Sequence, residues 1–308
     1  MTREEDIGMN QVHLKSGVRW NHPILNALKR ELYGWSNLED ALIDRPRNEK
    51  NESNEWIHNT TWPVDSQKVN SKNYRCDEFK SQHDGEHILF SGCSVTYGVG
   101  LYTNELWSYK LYEKIKGIKK VSGYYNLGTP GSSVLSIVSN IFKYIYLYGK
   151  PDSIFLDLPD LNRFYVIPPD EKMVEELIDH GDIRELHNEL PNLMRYGTYI
   201  GMPNRDILVT RMQSYEYLSM LEQYCSDTGI KLYIFSYVQD TLDFLSQTDL
   251  PRVFDVDNGN LINELYEYSQ QNKVDKYFLV ARDERHHGTA FHNAWANRMF
   301  DFYQKEDV

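Results

Sequence analysis

A serine set among glycines, Gly92-Cys93-Ser94-Val95-Thr96-Tyr97-Gly98-Val99-Gly100, and a downstream cluster, Asp283-Glu284-Arg285-His286-His287-Gly288, hold the residue types in this chain that could do chemistry together. A serine hydroxyl attacks usefully when a neutral imidazole takes its proton. An Asp three residues before a His on a turn accepts the imidazole Nδ1 proton, which fixes the tautomer and leaves Nε2 as the base. Asp283 and His286 have that spacing, so Ser94, His286 and Asp283 are read as nucleophile, base and orienting acid. The glycines do not make a phosphate loop. A Walker A loop needs GxxxxGK[ST], but five residues separate Gly92 from Gly98 and no Lys follows; a dinucleotide fingerprint needs a third glycine where Thr103 stands. The GxSxG elbow fails as well, because Thr96 replaces its last glycine.

These segments need elements that carry them to one place. From His87 onward short apolar runs alternate with helical stretches, the pattern of a parallel sheet with crossover helices. The runs at 87–92, 124–128, 153–158, 231–237 and 276–281 predict five strands buried on both faces. Helices are predicted at Glu105 to Ile115, Ser133 to Tyr148, Arg205 to Thr228, Leu261 to Gln271 and Thr289 to Tyr303. In the third of these, Ile207, Met212, Tyr215, Leu218 and Leu221 mark the face that packs on the sheet, and Gly229 closes the helix. The expected fold is α/β, a three-layer α/β/α sandwich with a five-stranded parallel sheet in flavodoxin-like order. In such sheets ligands bind beyond the carboxyl ends of the strands, so the turn after the first run and the loop after the last would meet at one edge. Residues 1–80 read as an irregular extension packed on the main domain, with one helix at Pro23 to Tyr33. Its Trp20, Trp35, Trp56 and Trp62 are expected to pack rather than bind ligand. Residues 81–308 form the main domain, interrupted at 164–204 by a lid-like insertion whose acidic run, 170–187, reads as a solvated helix face.

With these blocks in this order the sequence resembles the SGNH (GDSL-type) hydrolases. The first block, GDSxTxG, is matched by Gly92 to Gly98 with Cys93 in place of the usual Asp. The second, an Asn-initiated turn with glycines, is matched by Asn126-Leu127-Gly128-Thr129-Pro130-Gly131-Ser132, and the last, DxxH, by Asp283 to His286. The third block departs. Where the family has GxND, this chain reads Leu158-Pro159-Asp160-Leu161-Asn162-Arg163, with its Asn one residue late. The resemblance implies a Ser94-His286-Asp283 triad and an oxyanion hole built from the Ser94 N–H, the Gly131 N–H, with Gly128 as the alternative, and the Asn162 side chain. It covers roughly residues 87 to 303 and implies no cofactor.

Other readings of the same residues compete with this one. Cys93 could be the nucleophile, although one residue before Ser94 its thiol would point elsewhere. His286, His287 and His292 near carboxylates suggest Zn²⁺, but HxxxH spacing is absent and Gly288 breaks the turn, so no metal is expected. His292 reads as a helix residue packing near the turn and His287 as a surface residue. Asp160 and Arg163 are candidate substrate-binding groups, Arg163 for an acidic substrate. With 33 Lys+Arg against 45 Asp+Glu, a net charge of −12, and no basic cluster, no nucleic-acid partner is expected. Three widely spaced cysteines make no disulfide framework, the N-terminus shows no signal peptide, and no stretch is long enough for a membrane span, so a cytoplasmic setting is expected. The oligomeric state is not encoded in any of these patterns. Together they predict a serine esterase acting through an acyl-enzyme on small-molecule carboxylic esters, with O-acetyl carbohydrate favoured by the 23 tyrosines and six tryptophans. An O-acyltransferase with the same triad and a non-catalytic binding or assembly module on the same fold remain alternatives.

Overall fold

A computed structural model describes residues 70–72, 74–161, 163–165, 198–199, 207–275, 277–282 and 286–306. In chain order the elements are β1 (Ile88–Ser91), α1 (Ser94–Tyr97), a 3₁₀ turn at Thr103–Glu105, α2 (Trp107–Lys116), β2 (Tyr125–Asn126) and α3 (Val134–Tyr148). They continue with β3 (Ser153–Leu158), β4 (Phe164–Tyr165), β5 (Thr198–Tyr199), α4 (Ile207–Thr228), β6 (Lys231–Ser236), α5 (Gln239–Leu245), α6 (Asn258–Gln271) and α7 (Thr289–Glu306). Strands β2, β1, β3 and β6 form a parallel sheet in that order, and β4 pairs with β5 in a separate two-stranded antiparallel ribbon.

The sheet is central because its strands are apolar on both faces. Leu89, Ile154, Leu156 and Ile234 face a core completed by Ile137 and Ile141 of α3 and Leu218 and Leu221 of α4. Phe90, Phe155, Tyr233 and Phe235 alternate to the other face and meet Trp107 and Leu111 of α2 with Trp295 and Met299 of α7. The alternation is the two-residue period of the strand, and burial of both faces gives the three layers expected. Four of the five expected strands are present. The fifth run differs: residues 277–279 form a turn, and Val280 makes one antiparallel bridge to His287. Two causes are visible. The carbonyls of Tyr277, Phe278 and Leu279 accept the N–H groups of Thr289, Ala290 and Gly288, which satisfies the donors at the start of α7. The sheet edge beside β6 is also already occupied, since Ile234 exchanges backbone hydrogen bonds with Arg252 and Phe254.

The expected face of α4 is only partly right. Leu218 and Leu221 are buried, whereas Met212 is 45% exposed, and burial toward the helix start falls on Thr210 and Ser214. Helix α5 was not anticipated. The Pro23 to Tyr33 helix, the four tryptophans of the extension and nearly all of the 164–204 insertion lie outside the described residues. Of the described residues before β1, Tyr74 is fully buried and Phe79 meets Tyr125 and Tyr144. No helix among the described residues is long and apolar enough to cross a membrane.

At the amino-terminal edge of the sheet His87 is buried with its ring stacked on His83, 3.4 Å between centroids. The Lys150 carbonyl, 3.2 Å from Nδ1, can only accept, so Nδ1 carries the proton and Nε2 accepts from the Tyr144 hydroxyl at 2.7 Å. Burial first and the neighbouring His83 second push the His87 pKa down from 6.5 to about 4. The unfolded chain therefore binds a proton that the folded chain refuses, and stability present above about pH 6.5 is lost as the pH falls toward 4, by an amount on the order of 3 kcal/mol. The midpoint of urea unfolding should drop on acidification from pH 7 to 5, and His87→Gln should flatten that slope. Equal slopes in the two proteins would contradict the assignment.

Candidate active site

The chain leaves β1 at Ser91, passes through Gly92 and Cys93, and enters the single helical turn α1 at Ser94. Ser94 is 8% exposed, its carbonyl accepts the N–H groups of Gly98 and Val99, and its hydroxyl lies 3.9 Å from the Cys93 sulfur. Cys93 is fully buried in the second core, with Sγ 3.5 Å from the Tyr237 hydroxyl. That contact takes the thiol into the protein interior.

One turn of helix cannot hold itself, so other segments hold α1. Asn126, the last residue of β2, donates through Nδ2 to the Thr96 carbonyl at 2.8 Å and to the Tyr124 hydroxyl at 2.9 Å. Its Oδ1 accepts the Gly128 N–H at 2.7 Å. The loop behind lies tight against the turn, and a Cβ on Gly128 would stand 2.5 Å from the Tyr97 nitrogen, so only glycine fits there. Gly128 and Gly131 are thereby distinguished. The Gly128 N–H is engaged by Asn126, whereas the Gly131 N–H donates to no acceptor among the described residues. From the extension, the buried Arg75 donates to the carbonyls of Tyr97 (3.2 Å), Gly98 (2.7 Å) and Leu101 (2.5 Å), closing the carbonyl end of the turn.

The third block is only partly described. Leu161 is buried in the first core, and its carbonyl accepts the Ser214 hydroxyl. Asn162 lies outside the described residues. Arg163 reaches back toward the nucleophile turn, donating to the Ser132 carbonyl at 3.3 Å and to the Tyr237 hydroxyl at 3.5 Å. Arg163 thus stands between the second block and the Cys93–Tyr237 contact. Asp160 accepts the Arg163 N–H through its carbonyl and is half-buried.

The last block is drawn to the first by Arg282. Its N–H donates to the Gly100 carbonyl at 3.1 Å, and its guanidinium grips Glu105 with two hydrogen bonds, 2.6 and 3.0 Å. The guanidinium also lies over the rings of Tyr102 and Tyr277, 4.0 and 4.6 Å from their centroids. Ala281 packs with Leu101 and Leu106 beneath. The loop that carries His286 is thus fastened to the loop that follows Ser94. Asp283 lies outside the described residues, and His286 is half-buried, its carbonyl accepting the Ala281 N–H.

His287 is not the surface residue expected. It is half-buried, meets the Tyr237 ring edge-on at 5.7 Å and packs on Phe291 and Trp295, because the bridge to Val280 turns it inward. His292 is fully buried, and its Nδ1 accepts the Trp107 N–H at 3.0 Å, satisfying a donor at the start of α2. Burial, followed by the nearby His287 and His286, holds its pKa well below the ordinary range, so it stays neutral. The sequence reading missed Tyr237, Arg75 and the Arg282–Glu105 pair. Only Arg282, next to Asp283, carried a signal of position.

No family model matches the chain, and no curated protein matches it. Among solved structures it is similar to a member of the lipolytic protein G-D-S-L family from Veillonella parvula, at 15% identity over 71% of this chain and 98% of that one with a TM-score of 0.30. It is also similar to a Clostridium thermocellum family 3 carbohydrate esterase, at 14% identity over 70% of this chain and 92% of that one with a TM-score of 0.31.

Glu105 and Arg282 are 20% and 15% exposed as side chains, so breaking the pair strands a partly buried guanidinium at a cost of about 1–3 kcal/mol. Glu105→Gln should speed amide hydrogen exchange selectively at 98–106 and 277–290 while α3 and α4 stay protected. A uniform increase over the whole domain would show that the pair does not fasten these loops.

Proposed function

We propose that the chain is a serine esterase of the SGNH type, with Ser94 as nucleophile, His286 as general base and Asp283 orienting it. The observation that carries this reading is the fastening of the His286 loop to the Ser94 loop through Arg282, Gly100 and Glu105. That contact supports the reading because it links the loop after the serine turn to the segment that leads into the histidine loop. His286 takes the proton as Ser94 Oγ attacks the ester carbonyl, then returns it to the leaving alcohol. Water, activated by the same imidazole, releases the acyl group. The N–H groups of Ser94 and Gly131 and the amide of Asn162 receive the developing oxyanion, each such donor being worth roughly 10²–10³ in rate. General-base assistance contributes about 10²–10⁴ more. The substrate is a small carboxylic ester, with O-acetylated carbohydrate favoured by the aromatic content. An acceptor hydroxyl that outcompetes water would make the same machinery an acyltransferase.

One observation favours a non-catalytic binding module instead: the third block carries its Asn one residue late, and the residue before it, Leu161, is buried in the core. A single experiment separates the two. The protein is treated with a fluorophosphonate, the adduct is mapped by mass spectrometry, and hydrolysis of p-nitrophenyl acetate is followed in parallel. Label on Ser94, absent in Ser94→Ala and strongly slowed in His286→Ala, with turnover falling by about 10³ or more in both variants, is the expected outcome. Folded protein that takes no label would sink the esterase reading.

A further inference from the structure

Among the described residues Asp157 is the one carboxylate with no exposure. It stands near the end of β3, paired in register with Phe235, and its side chain reaches out of the sheet toward the nucleophile turn. Oδ2 accepts the Thr96 hydroxyl at 2.8 Å, and Thr96 is two residues past Ser94. No donor meets Oδ1 at full hydrogen-bond geometry among the described residues, although the Tyr237 backbone N–H is close enough to favour the anion. The packing leaves no slack: a Cβ on Gly92 would lie 2.1 Å from Thr96 Oγ1 and 2.8 Å from the Asp157 carbonyl oxygen. Gly92, Thr96 and Asp157 are thus pressed together at the turn that carries Ser94.

A buried carboxylate with one oxygen lacking a full hydrogen bond is costly, and the neutral acid costs much less. We propose that Asp157 is a positioning residue that holds the nucleophile turn through Thr96 as a protonated acid, and that the site works only while that proton is present. The groups facing it come from every neighbouring segment. They are the Thr96 hydroxyl of α1, the Tyr237 amide beyond β6 and the Arg163 guanidinium after β3, all of which favour the anion. The Tyr237 phenol, itself raised chiefly by burial, lies within electrostatic reach as well, with the buried Cys93 thiol beside it. Burial outweighs the three favourable groups and pushes the Asp157 pKa up to about 8. Ionisation would strengthen the pull on the Thr96 hydroxyl, draw Arg163 away from Ser132 and Tyr237 and admit water to Oδ1, shifting the four-residue turn that also carries Ser94.

This inference rests on the esterase reading, and the two fail separately. Wild-type kcat/KM for a small neutral ester should fall about tenfold from pH 7 to pH 9, as expected for one group ionising near 8. In Asp157→Asn, an isostere of the neutral acid, activity at pH 7 should be largely preserved and the alkaline fall should disappear. Asp157→Ala should lower kcat about ten- to a hundredfold at all pH values with KM little changed, because the turn loses its brace. An alkaline fall that survives in Asp157→Asn overturns the proposal. So does a ¹³C-carboxyl resonance of Asp157 that titrates near the ordinary value of about 4. Should Ser94 take no fluorophosphonate at any pH, the esterase reading fails while the carboxyl titration still decides the state of Asp157.

Discussion

A helical turn of four residues is below the length at which helix is stable alone, and the proposed nucleophile sits on one. Everything near the carboxyl edge of the sheet can be understood as support for that turn. Asn126 binds its carbonyl from β2, Asp157 binds its Thr96 hydroxyl from β3, and Arg75 closes its far end from the extension. Each brace comes from a different segment, so the geometry of Ser94 is a property of the assembled sheet rather than of the local sequence. The first block has a reason for its composition in the same constraint: Gly92 is small because Thr96 and β3 leave no room, and Thr96 is polar because it must reach Asp157.

The second support is electrostatic, and it works across a long separation in sequence. Arg282 satisfies itself on Glu105 and Gly100 and is sandwiched by Tyr102 and Tyr277. A guanidinium suits this task because its planar fork can hold a carboxylate and stack on rings at once. Beneath it, the carbonyls of 277–279 cap the start of α7, and His292 on α7 caps the start of α2. The histidine loop, α7 and α2 are therefore tied by hydrogen bonds to the nucleophile loop.

Much of the fold was legible because burial on two faces imposes a strong pattern. The runs around Ile88, Ser153 and Lys231 became strands, and Ser133, foreseen at the start of its helix, caps α3 by accepting the Ser136 N–H. The pattern failed where backbone carbonyls had a better use than the sheet. Residues 277–281 are as apolar as a strand, but they serve α7, a choice that hydropathy does not register. Met212 was misplaced for a related reason, since helical spacing identifies a stripe without saying where along the helix its partner begins. At the site, residue type and order identified Ser94 and His286 as candidates and the family resemblance added Gly131, whereas Tyr237 and Arg163 became neighbours of Cys93 only through the crossing of distant segments.

By itself the sequence determined the layers, the parallel sheet and the short blocks that could do chemistry, because periodicity and residue type are local properties of a chain. Tertiary structure decided which of those groups have work left over. It engaged the Gly128 N–H with Asn126 and left that of Gly131 without an acceptor among the described residues, turned His287 inward, gave His292 to a helix end, and buried Asp157 against Thr96. Those outcomes depend on which donors and acceptors meet when remote segments pack, and on how much water is excluded when they do. Neither quantity exists until the chain has folded.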